Sequence, residues 1–375
     1  MLSRLFHRES RTGPFDLARP LLHWSPRDPW TIGMACEGTL ICGASGAGKT
    51  SGSGKTIAMS MLQNFGGLIL TAKAEEIPLW QRYCEAAGRL DDLVLFGPGQ
   101  PYRFNFLNHE LHRSGPGAGY TENVVNVFTT IMELAQHRPT GGGRDSEAYW
   151  LLAMRQLIRN AVDLLILAVG WVSIPDLYRL IVSAPPSLAA VASEDWRRGS
   201  FCYRHLMLAE KRDKTPGQRQ DFELAADYFL QEFPALSDKT RSVIVSTFTS
   251  SIDMLNRGVL RELFCTDTNI TPEAVQGGRL ILMGLPVKEF GAIGLIAQTI
   301  WKYMFQRSIE QRDVSVSPRP VFLWADEAQN FITAYDAQFQ TTCRSARVAT
   351  VYLTQNISNV YAALGGESKG KAEAD

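Results

Sequence analysis

The sequence lacks the features of a zinc-stabilised, secreted or membrane-spanning protein. Its six cysteines stand apart, with no CxxC pair and no histidine cluster, so a zinc site or disulfide framework is not expected. No apolar core of signal-peptide length follows the start, MLSRLFHRESRTGPF. The longest apolar stretch, Leu164–Ile174, falls short of the about 20 apolar residues that a bilayer span needs. We therefore expect the chain as given to be cytoplasmic.

An excess of charge of either sign is also missing. The 375 residues include 38 basic and 38 acidic side chains, for a formal net charge of zero. This balance argues against a protein that coats nucleic acid with a basic surface, although it allows a channel that is locally basic. The remaining composition, 45% hydrophobic and 20% charged, is that of an ordinary globular protein.

Six short apolar runs, bounded by glycine, proline or polar residues, are typical of buried parallel strands. They are Thr39–Cys42, Leu68–Leu70, Leu93–Phe96, Leu280–Gly284, Val321–Ala325 and Thr350–Leu353. Helical stretches such as Thr56–Asn64 and Ile293–Arg307 lie between them. This alternation predicts an α/β fold with a doubly wound, mainly parallel sheet and with ligands at the carboxyl ends of the strands.

The middle of the chain has helical patterns and almost no strand signal. In Glu147–Val169, Arg155, Arg159 and Asp163 recur at four-residue steps, which predicts one polar stripe on an otherwise buried helix. We expect an all-α insertion at 120–258 within an α/β domain made of 38–119 and 259–375. Residues 1–37 are expected to form an N-terminal extension.

GASGAGKT at Gly43–Thr50 matches GxxxxGK[ST] in full, with a strand pattern before it and a helix pattern after it. The glycines allow a tight turn whose N–H groups point at phosphate oxygens. Lys49 would neutralise the β and γ phosphates, and the Thr50 hydroxyl would ligate magnesium. The motif therefore predicts a P-loop NTPase fold with ATP and Mg²⁺ as cofactors. The residues predicted to contact the nucleotide are Gly43, Ala44, Ser45, Gly46, Ala47, Gly48, Lys49, Thr50 and Ser51.

A second GKT ends SGSGKT at Ser51–Thr56, so Lys55 is an alternative phosphate lysine. Five residues before Gly54 stands Lys49 rather than glycine, and this copy therefore fails the motif spacing. We expect Lys49 to be the phosphate ligand. The glycines at 52 and 54 are poor helix formers, so the first turn of the helix is expected to be irregular or closely approached by another element.

Two further strands end in polar residues. In PVFLWADEAQ (Pro320–Gln329), Asp326 would hold magnesium and Glu327 would act as the general base, unless the pair is only a solvated acidic turn. In ATVYLTQN (Ala349–Asn356), Gln355 is a candidate sensor of the γ-phosphate. Arg344 and Arg347, just before it, are candidate arginine fingers toward a neighbouring subunit. Strand-terminal glutamines and surface arginines also occur with purely structural roles.

Several stretches together resemble the coupling-protein ATPases of type IV secretion and conjugation, the TraG/TraD family, which are themselves similar to the FtsK/HerA DNA pumps. Besides the phosphate loop, they are Ile69–Glu76, Leu93–Asn108, Leu236–Ile252, Asp326–Phe331 and Thr354–Gly366. The resemblance implies a RecA-like NTPase of the additional-strand, catalytic-Glu type that hydrolyses ATP and forms a ring, expected to be a homo-hexamer. Its substrates would be single-stranded DNA with its relaxase, or effector proteins. The partners would be components of the type IV secretion channel, and the all-α insertion would contact the substrates.

Three departures from the family limit what the resemblance implies. Family members carry an N-terminal transmembrane segment that this chain lacks, so membrane contact is expected only through other subunits or missing sequence. On that basis the chain would lie at the cytoplasmic face of the bacterial inner membrane. Thr71 stands where the family's second strand ends in Asp. The chain also stops at GKAEAD, where relatives continue into further sheet and helix, so a truncated C-terminus is expected.

Other classes of function remain open from the sequence. An FtsK/HerA-like DNA pump or helicase is disfavoured by the size of the insertion and by the lack of a winged-helix segment. A nucleotide-gated adaptor without motor activity would have no need of Glu327. An inactive fragment is a further alternative because of the abrupt ending. An ABC-type ATPase is disfavoured because no LSGGQ-like stretch occurs.

Overall fold

The computed structural model of the chain describes residues 13–44, 46–136 and 144–365. The strands are β1 (Pro20–Ser25), β2 (Asp28–Thr31), β3 (Thr39–Cys42), β4 (Gly66–Leu70), β5 (Leu93–Phe96), β6 (Leu280–Met283), β7 (Val321–Ala325) and β8 (Val348–Thr354). The helices are α1 (Ile32–Ala35), α2 (Lys55–Met61), α3 (Glu76–Ala86), α4 (Phe106–His112), α5 (Thr121–Gln136), α6 (Arg144–Val169), α7 (Ile174–Val182), α8 (Leu188–Ala192), α9 (Glu194–Gly199), α10 (Phe201–Lys211), α11 (Pro216–Asp227), α12 (Phe233–Ala235), α13 (Asp238–Ile252), α14 (Gly258–Phe264), α15 (Val287–Glu310), α16 (Ala334–Cys343) and α17 (Ile357–Ala363). Two compact units emerge: a sheet unit, Met1–Gln100 with Pro272–Asp375, and a helical unit, Pro101–Thr271.

Six parallel strands form the sheet unit's main sheet, in the order β3-β8-β7-β4-β6-β5. All six correspond to the predicted apolar runs, so the predicted α/β fold is confirmed. The strand β8 lies between β3, which leads into the phosphate loop, and β7, which ends in Asp326. This added strand is the arrangement expected of the additional-strand, catalytic-Glu type.

Helices cover both faces of this sheet, because alternate side chains of each strand point to opposite faces. On one face the Trp80 ring of α3 lies 5.9 Å from Phe322 and 5.2 Å from Trp324, both on β7. On the other face, Trp301 of α15 packs edge-on against Phe96 of β5 at 4.9 Å. Every residue of β4, β6, β7 and β8 is buried. Such burial explains why these strands are continuous apolar runs in the sequence.

Residues 13–37 are more than an extension. Strands β1 and β2 form an antiparallel hairpin, and Trp30, Ile32 and Cys36 bury their side chains in the same core as α2. These residues therefore pack with the sheet unit, which in the structure begins before the predicted boundary at 37. The two-residue turn between Ser25 and Asp28 is Pro-Arg, without the glycine or asparagine that marks most tight hairpins in a sequence.

The helical unit begins earlier and ends later than the predicted 120–258. The backbone N–H of Phe104 donates to the carbonyl of Leu263 at 2.8 Å, and the Phe106 ring packs against Phe264 at 6.5 Å. Asn105 also donates to the carbonyl of Val172 at 3.0 Å. The segments that enter and leave the unit thus bury aromatic side chains within it. In the part that the structure describes, its β pairing is limited to the isolated bridge between Phe104 and Thr268.

The polar stripe predicted on the long helix is present on α6, and its partners come from α5. The Arg159 Nη2 atom lies 2.6 Å from the Glu122 carboxylate, and Arg155 pairs with the same carboxylate at 3.3 Å. Asp163 accepts a hydrogen bond from the hydroxyl of Thr121. One row of polar side chains therefore joins α6 to α5, while Leu157, Leu164 and Leu165 of α6 are fully buried.

Candidate nucleotide-binding site

The phosphate loop connects β3 to α2 at the carboxyl edge of the sheet. Gly46 and Gly48 both have φ near 78°, a conformation that favours glycine. The Lys49 Nζ atom lies inside the loop and donates to the carbonyl of Gly43 at 2.5 Å and to that of Ala44 at 3.1 Å. Ser45, also predicted to contact the nucleotide, lies outside the described residues. Lys49 therefore lies at the phosphate loop, and its role as the phosphate ligand stays a prediction.

The second GKT lies beyond the loop, in an irregular first turn of the helix. Thr50–Gly54 forms a π-type turn in which the N–H of Gly54 donates to the carbonyl of Lys49 at 2.7 Å. A Cβ atom on Gly54 would lie 2.6 Å from that carbonyl oxygen and 3.2 Å from Leu353 of β8. The expected irregular turn and close approach are thus confirmed. Lys55 is exposed on α2.

Thr50 and Asp326 meet across the ends of two different strands. The Thr50 hydroxyl donates to the Asp326 carboxylate at 2.6 Å, although the two residues are far apart in sequence. Asp326 follows β7 and is buried. A hydroxyl and a carboxylate side by side are hard oxygen ligands of the kind that Mg²⁺ prefers. These two residues therefore fit the magnesium site that the sequence predicts, and they would hold the ion when nucleotide binds.

Glu327 has an unusual backbone and a closely held side chain. Its φ is 51°, which is uncommon for a residue other than glycine, and its N–H donates to the Asp326 carboxylate at 2.8 Å. Lys73 Nζ donates to Oε1 of Glu327 at 3.1 Å, and Gln329 Nε2 donates to Oε2 at 2.9 Å. Burial raises the pKa of Glu327, but the hydrogen bonds from Gln329 and Lys73 outweigh burial, so the pKa is lowered overall. The group is thus a carboxylate in the form that a general base requires.

The segment after β4 supplies two titratable groups, Lys73 and Glu76, to this edge of the sheet. The hydrogen bond to Glu327 raises the pKa of Lys73. Glu76 is buried, and burial followed by the nearby Asp326 charge raises its pKa to about 8. The N–H of Lys73 donates to the Glu76 carboxyl at 3.1 Å. The hydroxyl of Thr71 donates a hydrogen bond to the carbonyl of Met283, the last residue of β6, at 2.8 Å.

The remaining predicted residues are Gln355 and the two candidate arginine fingers. Gln355 is at the same edge, directly after β8, and its side chain is exposed. Arg344 pairs with Glu37 at 3.2 Å, and Arg347 donates to the carbonyls of Phe15 at 3.1 Å and Pro318 at 2.9 Å. Both arginines precede β8 and therefore lie at the opposite edge of the sheet. Their role as fingers toward a second subunit stays a prediction.

Sequence reasoning did not assign roles to Lys73, Glu76 and Gln329. The resemblance includes Ile69–Glu76, and Gln329 closes the second motif, but neither pattern says which side chain touches Glu327. The position of these residues near strand ends did point to the site, because parallel strands bring their carboxyl ends to one edge of the sheet. Polar residues within a few positions of every strand end were therefore candidates.

Among the described residues, no group of three or more histidine, cysteine, aspartate or glutamate side chains is placed to hold a metal ion. No single helix there is both long and apolar enough to cross a bilayer. One bent pair, Leu152–Val169 with Ile174–Val182, passes by length and composition only, at an angle of 109°.

Solved structures with a similar fold include coupling proteins. Plasmid coupling protein TrwB, in complex with the non-hydrolysable GTP analogue GDPNP, has a TM-score of 0.54 and 16% identity, over 95% of this chain and 72% of that one. The unbound monoclinic form of the bacterial conjugative coupling protein TrwBdeltaN70 has a TM-score of 0.56 and 16% identity, over 92% of this chain and 68% of that one. TrwB in complex with ADP and Mg²⁺ has a TM-score of 0.52 and 16% identity, over 92% of this chain and 70% of that one.

These comparisons establish the fold. The chain has the P-loop NTPase fold of the TrwB coupling proteins, with a helical unit inserted into the sheet unit, and the resemblance seen in the sequence is confirmed at this level. No family model matches the chain, and no curated protein matches it by sequence.

Proposed function

We propose that this chain is an ATP-hydrolysing coupling protein. It would deliver and drive DNA with its relaxase, or protein substrates, into a bacterial type IV secretion or conjugation channel. The observation that carries the proposal is the contact of Thr50 with Asp326, with Glu327 one residue further on, in a fold shared with TrwB. This arrangement supports a phosphate loop, a magnesium site and a general base at one edge of the sheet.

Each residue has one role in this proposal. Lys49 and the loop N–H groups bind the β and γ phosphates. Thr50 and Asp326 hold magnesium, which when bound supplies positive charge to the phosphate oxygens. Glu327 accepts a proton from the attacking water, a contribution of about 10²–10⁴ in rate for a positioned general base. Gln355, exposed at the same edge, is proposed to sense the nucleotide.

The partners and location of the protein are part of the same proposal. We infer a homo-hexamer at the cytoplasmic face of the bacterial inner membrane, with the helical unit toward the substrate. Arg344 or Arg347 would reach the nucleotide of a neighbouring subunit. The support for these points is the likeness to proteins described as plasmid and conjugative coupling proteins.

One observation favours a second candidate function, a nucleotide-gated adaptor. Both carboxylate oxygens of Glu327 already accept hydrogen bonds from protein groups, as they would in a site that binds ATP without turning it over. Each oxygen keeps a further lone pair, however, and a water molecule can still donate to it. Turnover therefore separates the adaptor from the enzyme.

The test is ATP turnover by the purified protein, with and without single-stranded DNA. Lys49→Ala is expected to abolish nucleotide binding and turnover. Glu327→Gln is expected to keep binding and to lower turnover by about 10²-fold or more, because the amide cannot accept the proton. Binding is measured separately with a fluorescent ATP analogue.

Lys55→Ala is the matched control, since it removes the lysine of the second GKT and is expected to leave turnover unchanged. The reverse result for the two lysines would move the phosphate site to the second GKT. A parent protein that binds ATP but turns it over no faster than Glu327→Gln would make the adaptor the better description. Stimulation by single-stranded DNA would support a DNA substrate.

A further inference from the structure

The Glu327 carboxylate is held from two sides by different strands. Lys73, three residues after β4, donates to one oxygen at 3.1 Å, and Gln329, just after β7, donates to the other at 2.9 Å. The side chain of Glu327 is only 13% exposed, and that of Lys73 is 30% exposed. The direction of the carboxylate is therefore set by these two donors.

Gln329 also contacts β8, the strand beside the phosphate loop. The Thr354 hydroxyl donates to Oε1 of Gln329 at 2.9 Å, while Nε2 of the same amide donates to Glu327. Thr354 in turn accepts, through its backbone carbonyl, the N–H of Gly43 at 3.3 Å. A continuous row of hydrogen bonds thus runs from the first residue of the phosphate loop to the carboxylate.

The backbone of Glu327 gives a reason for such support. Its φ of 51° lies in the left-handed region, which is strained for a residue with a side chain and persists only where the surroundings hold it. The Gln329 amide and the N–H of Glu327, bonded to Asp326 at 2.8 Å, provide contacts of that kind.

We propose that Gln329 is a positioning residue for Glu327, which couples the tip of β8 beside the phosphate loop to the direction of the carboxylate, while Lys73 holds the other oxygen. The proposal rests on the proposed function, since it assigns the base of that reaction its supports. An amide suits the position because it accepts from Thr354 and donates to Glu327 at the same time. A carboxylate of the same size could not donate.

The first experiment measures kcat and KM for ATP in Gln329→Ala, Thr354→Val and the double variant. Gln329→Ala is expected to lower kcat by about tenfold or more, since small displacements of a reacting group are costly, with KM within about twofold of the parent. Thr354→Val, which removes the hydroxyl at nearly constant volume, is expected to lower kcat less. The double variant is expected to match Gln329→Ala alone, because the two residues act through one contact.

Conservative and control variants separate positioning from folding. Thr354→Ser keeps the hydroxyl and is expected to restore the parent kcat, and Lys73→Arg is expected to retain more activity than Lys73→Ala. Gln338→Ala, at an exposed position on α16, is expected to change nothing. Melting temperature and the affinity for a fluorescent ATP analogue should stay at parent values in Gln329→Ala.

Three results would overturn this inference alone. They are parental kcat in Gln329→Ala, losses that multiply in the double variant, and a loss of kcat that is accompanied by lost nucleotide binding and a lower melting temperature. In all three the parent turns over ATP and Glu327→Gln does not. A parent that does not hydrolyse ATP, or one that is unaffected by Glu327→Gln, would instead overturn the proposed function and this inference with it.

Discussion

At the scale of single residues, the phosphate loop depends on a glycine outside the motif itself. Gly54 is buried in the π-type turn after the loop, where its N–H closes on the carbonyl of Lys49 at 2.7 Å. A Cβ atom on Gly52, two residues earlier in the same turn, would have no other atom within 4 Å. The two glycines stand in similar sequence surroundings, but only Gly54 lacks room for a side chain.

Gly54→Ala is expected to weaken nucleotide binding about tenfold. The added methyl group would lie 2.6 Å from the Lys49 carbonyl oxygen, a backbone atom that cannot rotate away, so the loop around Lys49 must shift. Such a loss corresponds to about 1.4 kcal/mol of binding free energy. Titration with a fluorescent ATP analogue measures it. Gly52→Ala is the control and should bind as the parent does; equal affinities for both variants would contradict the argument.

Single residues also show which contacts of the site could not be predicted from the sequence. Lys49, Thr50 and Asp326 could be predicted because a motif states their spacing and the strand ends bring them together. The contact of Gln329 with Glu327 depends on side-chain directions after a turn with positive φ, which no spacing rule encodes. Lys302 is a second example: a lysine in an apolar helix pattern that is buried and paired with Asp336 of α16.

At the scale of elements, the residues that bound each apolar run decided which predictions succeeded. The bounds of β3, β5 and β7 agree with the predicted runs, because glycine, proline or a charged residue stands directly before and after each of them. The hairpin β1–β2 was missed, since it is mostly exposed and its turn carries no glycine. The kink in α15 at Gly291, with φ of 54°, was missed as well, although the predicted helix Ile293–Arg307 lies within its straight part.

The contact of α6 with α5 makes a prediction about pH. Burial raises the pKa of Asp163 to about 6, whereas an unfolded aspartate titrates near 3.9. The folded state therefore favours the protonated form, and its stability falls as the pH rises from about 4 to about 6. Asp163→Asn is expected to be more stable than the parent by about 1–2 kcal/mol at pH 7.5, with the difference disappearing near pH 4.

Chemical denaturation at the two pH values measures this difference. The asparagine keeps an oxygen that can accept the Thr121 hydroxyl, so the packing of α5 on α6 is preserved. Asp213→Asn, at an exposed position, is the matched control and should change stability at neither pH. A destabilised Asp163→Asn at pH 7.5 would show that the charged form is the one the fold requires.

At the scale of the whole molecule, the chain contains two compact units, and each has an apolar interior. The sheet unit has the core formed by α1, α2 and α3 against the sheet. In the helical unit, Phe128 of α5 and Phe248 of α13 are fully buried and lie 6.1 Å apart, and Leu157, Leu164 and Leu165 of α6 are buried as well. Because each unit buries its own apolar side chains, each satisfies the main physical requirement for independent folding.

The helical unit, expressed alone as residues 101–271, is therefore expected to fold. Circular dichroism should show a helical protein that unfolds in one cooperative thermal transition. Within this fragment, Phe128→Ala is expected to cost about 3–5 kcal/mol, because it removes a ring that is fully buried. Leu224→Ala, at a side chain that is 66% exposed, should cost little. A fragment without a cooperative transition would mean that the sheet unit is needed to order these helices, and equal effects of the two variants would mean that its interior is not packed as described.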